Sequence, residues 1–105
     1  MNSLKDWIKN INKSNKLILV EGKKDETNLK KLGIKNKIIT VSNKPLIFIE
    51  DIIEDVIILT DLDSHGKKLY SILRHNLQKR GIRIDKTFRE FLFKQKQSHI
   101  EGIKL

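Results

Sequence analysis

The chain has 105 residues, enough for one domain with one modest core, and it carries a net charge of +9. Apolar residues make up 38%, with 17 Ile, no Ala and only 6% aromatics, so the core rests on branched aliphatics suited to a buried sheet. There is no cysteine, which excludes disulfide frameworks, zinc-thiolate sites and cysteine nucleophiles together.

Residues 1–16 place Leu4, Trp7, Ile8 and Ile11 at helical spacing, so a short amphipathic helix is expected, docked through Trp7. This segment has no apolar h-region, and no run in the chain approaches the ~18 apolar residues of a membrane helix. With no cysteines, these features predict a cytoplasmic protein without a membrane partner. Leu17-Ile18-Leu19-Val20 is a continuous apolar run of the kind found in strands buried on both faces, and it stops at Glu21-Gly22.

Asp25 to Leu32 reads as a helix ended by Gly33, with Asp25 as a cap or first-turn charge. Ile38–Val41 reads as a second strand, residues 42–45 as a turn, and Pro45 as the first residue of a helix to about Ile53. Val56-Ile57-Ile58-Leu59 is a third buried strand running into Thr60-Asp61-Leu62-Asp63. Ser64-His65-Gly66 opens the clearest helix, with Leu69, Ile72, Leu73 and Leu77 as its apolar stripe and Gly81 as its stop. Ile82–Ile84 reads as a brief fourth strand, Phe88, Phe91 and Leu92 as a last helix, and residues 93–105 as a tail.

This alternation predicts an α/β fold with about four mainly parallel strands and helices on both faces. A single domain is expected over 1–105, with an N-terminal helix at 1–16 and a core at 17–92. In such sheets ligands bind beyond the carboxyl ends of the strands, near a topological switch point. Glu21-Gly22 and Asp61-Leu62-Asp63 both fall at such ends. Asp61 and Asp63, two apart in extended chain, point the same way and send Leu62 toward the core. Converging carboxylates repel one another unless a hard cation sits among them, and Mg²⁺, with Mn²⁺ as the alternative, leaves positions for a phosphate.

Gly22 suits a turn of positive φ or a close ligand approach, and Gly66 a helix start whose N–H groups meet a phosphate. Lys23, Lys24, Lys67, Lys68 and Arg74 flank the motifs as phosphate contacts. The charge is uneven: residues 1–16 contribute +3, residues 17–60 sum to zero and residues 61–105 contribute +6. A basic C-terminal half is the footprint of a polyanion, although a lysine-rich solvated surface gives the same count. Each motif alone has a bland reading, since Asp is common in turns after strands. His65 and His75 read as surface residues and Tyr70 as a poor nucleophile. The combination strand-Glu-Gly followed by strand-Asp-x-Asp-x-x-Gly-helix is the specific signal.

That combination, carried by residues 17–25 and 56–67, resembles the Toprim domain of topoisomerases, bacterial-type primases, a recombination mediator and several nucleases. Val20-Glu21-Gly22-Lys23-x-Asp25 is also similar to the ribonuclease that matures 5S ribosomal RNA and to its stand-alone small primase-like relatives. The resemblance covers residues 15–92 and implies a Rossmann-like Toprim fold. It makes Asp61 and Asp63 the metal-coordinating pair and Glu21 a general acid/base, and Glu21 is expected as a third metal ligand beside them. Leu62 replaces the proline that one variant carries between the aspartates.

No counterpart is expected here for the zinc, template-channel and tyrosine-bearing domains of primases and topoisomerases, nor for the RNA-binding domain of the 5S-maturing ribonuclease. The expected activity is therefore Mg²⁺-dependent phosphoryl transfer, of nuclease (hydrolase) type, on RNA or DNA. Its alternative is a non-catalytic module that binds nucleic acid, a protein partner or further copies of itself. An Asp61 nucleophile of the haloacid-dehalogenase kind fits less well, because that motif follows the first strand of its domain. Whether His99 and Glu101 fold back to the site is not legible from the sequence.

Overall fold

The computed structural model describes residues 1–42 and 44–105 as a three-stranded parallel sheet with helices. The strands are β1 (Leu17–Val20), β2 (Ile38–Thr40) and β3 (Val56–Leu59), in the order β2-β1-β3. The helices are α1 (Leu4–Ser14), α2 (Lys23–Lys31), α3 (Ser64–Lys79) and α4 (Thr87–Lys94). Two 3₁₀ turns, Leu46–Asp51 and Ile100–Gly102, complete the elements. Among the described residues, no helix is long and apolar enough to cross a membrane.

Alternation along the strands builds two cores. Ile18, Val20, Ile57 and Leu59 face one side, against Trp7 and Ile11 of α1, Leu29 of α2, and Phe88, Phe91 and Leu92 of α4. Leu17, Leu19, Val56 and Ile58 face the other, against Leu73 and Leu77 of α3 and Ile49 and Ile52 beside the first 3₁₀ turn. Each fully buried branched side chain stabilises by about 1.5–3 kcal/mol relative to its exposed state. Ser3 accepts the Asp6 N–H at 3.2 Å to cap α1. Trp7 donates its indole N–H to the Phe88 carbonyl at 2.9 Å, which docks α1 as expected.

Several expectations are corrected. The fourth strand reduces to one parallel bridge, Val56 to Ile84. Extension stops there because Asp85 turns the chain into α4: its carboxylate accepts the Thr87 N–H at 3.0 Å and pairs with Lys16 at 2.8 Å. Pro45 does not begin a helix but precedes the 3₁₀ turn in an extended conformation, with φ −64° and ψ 144°. Asn43, placed by sequence in that turn, lies outside the described residues. Helix α2 begins two residues earlier than expected.

In α3 the apolar stripe narrows, because Ile72 is exposed. Leu62 is only half-buried, so it lies at the margin of the core rather than within it. Helix α4 runs through Phe93 and Lys94, and the segment after it is no loose tail: Ile100 and Ile103 are buried in the first core.

Candidate metal and phosphate site

β1 and β3 are hydrogen-bonded neighbours in parallel register, with Val20 opposite Leu59. β2 pairs with the other side of β1, so the chain diverges between β1 and β3 and leaves a crevice at their carboxyl ends. Glu21 leaves β1 into that crevice and Asp61 leaves β3 into it, while Asp63 follows as the N-cap of α3. The cleft measures about 360 Å³ and is lined by Glu21, Gly22, Lys24, Asp25, Asp61 and Glu101, among others.

The Asp61-Asp63 loop is held from three sides. Thr60, fully buried, donates its hydroxyl to the Gly66 carbonyl at 2.8 Å, which fixes the first turn of α3 under β3. Arg89 of α4 donates to the Thr60 carbonyl, to the Thr60 hydroxyl oxygen at 3.0 Å and to the Asp61 carbonyl at 3.1 Å. Its guanidinium also lies over the Tyr70 ring, 4.4 Å from the centroid. Burial pulls this guanidinium below its ordinary value, opposed by Tyr70 and Asp61. From the third side, Ser98 accepts the Leu62 N–H at 2.8 Å through its carbonyl, and Ile100 donates its N–H to the Asp61 carboxylate at 2.9 Å.

Asp63 caps α3, accepting the Gly66 N–H at 2.8 Å, and that bond holds its carboxyl below the usual range. Its other oxygen lies 3.4 Å from His99 Nε2. Asp61, Asp63 and His99 each offer a ligand atom, all within 4.8 Å of one another. The segment after α4 thus folds back to the site and brings His99 and Glu101 with it.

Glu21 is not a member of that group. Its Oε2 lies 3.6 Å from His65 Nε2, while Oε1 is buried with no hydrogen-bond partner. Burial raises the Glu21 carboxyl first, and Asp61, Asp25 and Asp63 raise it further against His65. Asp25 is a buried cap, accepting the Gly22 N–H at 3.0 Å, and burial raises it despite that bond. Among the described residues, no Lys or Arg forms an ion pair with Glu21, Asp61 or Asp63.

The flanking residues divide. Lys23 and Lys24 border the cleft, and Lys67 and Lys68 are exposed on the first turns of α3. Arg74 is not at the site: it lies ten residues along α3, about 15 Å from its start, half-buried with an enclosed Nε. Gly22 has φ −145°, an extended conformation any residue adopts, and a Cβ there would meet only Ser42 Oγ at 3.8 Å. Gly66 is needed for a different reason than a free helix terminus. Its N–H is taken by Asp63, and a Cβ would collide with the Asp61 peptide.

Sequence reasoning missed Arg89 as a clamp and His65 as a neighbour of Glu21, and left His99 open. Arg89 does carry a signal, since it sits three residues before buried Leu92 and flanks the apolar stripe of α4.

No family model matches the chain. A UPF0292 protein of Methanocaldococcus jannaschii is 33% identical over 93 residues, covering 84% of this chain and 73% of that protein. A UPF0292 protein of Thermococcus sibiricus is 37% identical over 103 residues, covering 95% and 82%. Among solved structures, a protein from Aquifex aeolicus superposes with a TM-score of 0.91 at 37% identity, over 98% of this chain and 100% of that one. The chain belongs to the UPF0292 family.

Proposed function

We propose that this is a Toprim-type domain performing divalent-metal-dependent phosphoryl transfer on nucleic acid, as nuclease-type cleavage of RNA or DNA in the cytoplasm. The observation that carries this reading is the convergence within 4.8 Å of Asp61 and Asp63, which follow β3, with His99, which the segment after α4 brings back to them. The donor set fits a divalent cation. Two carboxylates stand together without a Lys or Arg ion partner among the described residues, and beside them Glu21 Oε1 is buried and unpartnered. Asp61, Asp63 and His99 would hold the ion; the carboxylates suit Mg²⁺ and Mn²⁺, and the imidazole favours the softer of the two. A bound ion would neutralise and polarise a phosphate oxygen.

The protein's own groups supply the rest. Glu21 takes up or returns a proton at Oε2, a task favoured by burial that raises its carboxyl toward the working pH. His65 orients Glu21 from 3.6 Å. Lys23, Lys24, Lys67 and Lys68 draw the strand's phosphates to the crevice. Arg89 and Gly66 keep the Asp61 loop in place without touching substrate.

A second reading, a non-catalytic nucleic-acid or protein-binding module, is favoured by the bonds the carboxylates already make to Ile100, Gly66 and His99. Single-turnover cleavage of structured RNA and DNA across Mg²⁺ and Mn²⁺ titrations separates the two. Cleavage lost in Asp61→Asn and Asp63→Asn supports the enzyme. Tight binding without cleavage under any divalent ion supports the module.

A further inference from the structure

Helix α4 buries Phe88, Phe91 and Leu92 against the sheet, yet its Phe93 stands 63% exposed on the opposite side. An exposed phenylalanine costs solvation and contributes nothing to this core. It projects between two grooves. One, of about 340 Å³, runs between α3 and α4 and is floored by Tyr70, which lies beneath Arg89. The other, of about 440 Å³, continues past Phe93 to Gln97 and Ser98. Both volumes fall within the range of about 300–1,000 Å³ typical of small-ligand sites.

Leu62 and Phe93 line both grooves, and Leu62 is the residue between the two site aspartates. This apolar saddle therefore adjoins the acidic loop through Leu62, although neither Asp61 nor Asp63 lines either groove. The rim is basic. Lys67 and Lys86 border the first groove, Lys94 and Lys96 the second, against a single carboxylate from Glu90. Among the described residues, none of these four lysines is in an ion pair.

We propose that Phe93 is a stacking platform for one unpaired nucleobase, and that the substrate class of the neighbouring site is single-stranded or looped nucleic acid. The inference rests on the nucleic-acid reading above and specifies its substrate. An aromatic face takes any base, but only a base freed from its duplex exposes a π-face to it. The lysines supply the phosphate contacts that a purely apolar protein partner would leave unmatched, which is why the occupant is a nucleotide strand rather than a peptide.

The test is fluorescence anisotropy in EDTA, where no cleavage occurs, with labelled single-stranded oligonucleotides and a duplex of the same sequence. Parent, Phe93→Ala, Phe93→Leu and Phe93→Trp are compared. Stacking predicts that Phe93→Ala and Phe93→Leu both bind single strands about fivefold or more weakly, while their duplex affinity is unchanged. Phe93→Trp should retain affinity, and emission of the introduced indole should be quenched by single strands. Parent-like affinity in Phe93→Leu, equal losses on both substrates, or no quenching would overturn the proposal. So would parent self-association, seen by sedimentation, that Phe93→Ala abolishes without altering nucleic-acid affinity. If the parent binds duplex but ignores the Phe93 changes, only this inference falls; if it binds neither substrate, the nucleic-acid reading falls with it.

Discussion

The backbone N–H of Ile100 is donated to the carboxylate of Asp61 at 2.9 Å, across 39 residues of sequence. The bond is anchored behind, because Asn28 of α2 donates its amide to the carbonyls of Ile100 and Ile103, each at 2.9 Å. The acidic crevice is thereby assembled from β1, β3, the start of α3 and the segment after α4, with α2 as the post to which that segment is tied. Variants of each part should fail in different ways.

Divalent ion should stabilise the folded protein by mass action. At a hundredfold excess over Kd the gain is about 2.7 kcal/mol, a rise of about 10 °C or more in Tm for a domain of this size. Thermal melts with Mg²⁺ or Mn²⁺ should show that rise for the parent and lose it in Asp61→Asn and Asp63→Asn. His99→Gln should weaken the Mn²⁺ shift more than the Mg²⁺ shift. Identical shifts in all four proteins would place the ion elsewhere.

Glu21→Gln preserves shape but removes the titrating group. Cleavage should fall by about 10²–10⁴-fold in single-turnover assays, with single-strand affinity unchanged or slightly higher. Parent-like rates would remove Glu21 from the chemistry.

The same variant has a stability signature in EDTA. Burial raises the Glu21 carboxyl in the folded state, so the native protein holds its proton more tightly than the unfolded chain does. That stabilising contribution is complete below the unfolded carboxylate range and is lost as pH rises through the raised folded value. Glu21→Gln should therefore match the parent below about pH 4 and melt higher than the parent at pH 7–8. A variant that melts lower at neutral pH would contradict the assigned shift.

Gly66→Ala inserts a methyl group 2.8 Å from the Asp61 nitrogen and closer still to its carbonyl carbon and oxygen. Neither α3 nor the end of β3 can yield cheaply, so the variant should lose about 3 kcal/mol or more by urea denaturation. Gly22→Ala, with only an ordinary contact to Ser42, should fold like the parent.

Arg89→Met keeps apolar bulk but leaves the Thr60 and Asp61 carbonyls without their donor. The expected loss is about 2–4 kcal/mol, accompanied by weaker ion binding because the Asp61 loop is no longer held. Nucleic-acid affinity should fall with rising salt, and Lys67→Glu and Lys68→Glu should each reduce the salt slope by about 1. Arg80, also in the basic half, should not: it donates to the Ile52 carbonyl at 2.8 Å and to the Ile49 carbonyl, tying α3 to the 3₁₀ turn.

β1 and β3 were legible because four-residue apolar runs bounded by acidic or polar residues leave few alternatives, and their acidic ends followed from them. The fourth strand was over-read, since Asp85 ends the Ile82–Ile84 run through a local bond from Thr87 and a pairing with Lys16, 69 residues away. The return of the chain after α4 was hidden by Lys96, which takes φ +58° where a glycine would have marked the turn. With that turn unseen, the approach of His99 to Asp63 could not be read. Arg89 was hidden differently: a single arginine on an amphipathic helix looks like solvent-facing charge until its carbonyl partners are known.

Trp7, the only tryptophan, is fully buried against Phe88, with ring centroids 6.4 Å apart and planes at 74°. It belongs to α1, yet its partner is in α4, the helix that also carries Arg89 and Phe93. Its emission therefore reports optically on whether α4 is seated, with no label added. A crevice variant that leaves this signal blue-shifted has lost chemistry alone, whereas a red shift reveals that the helix supporting the site has come away.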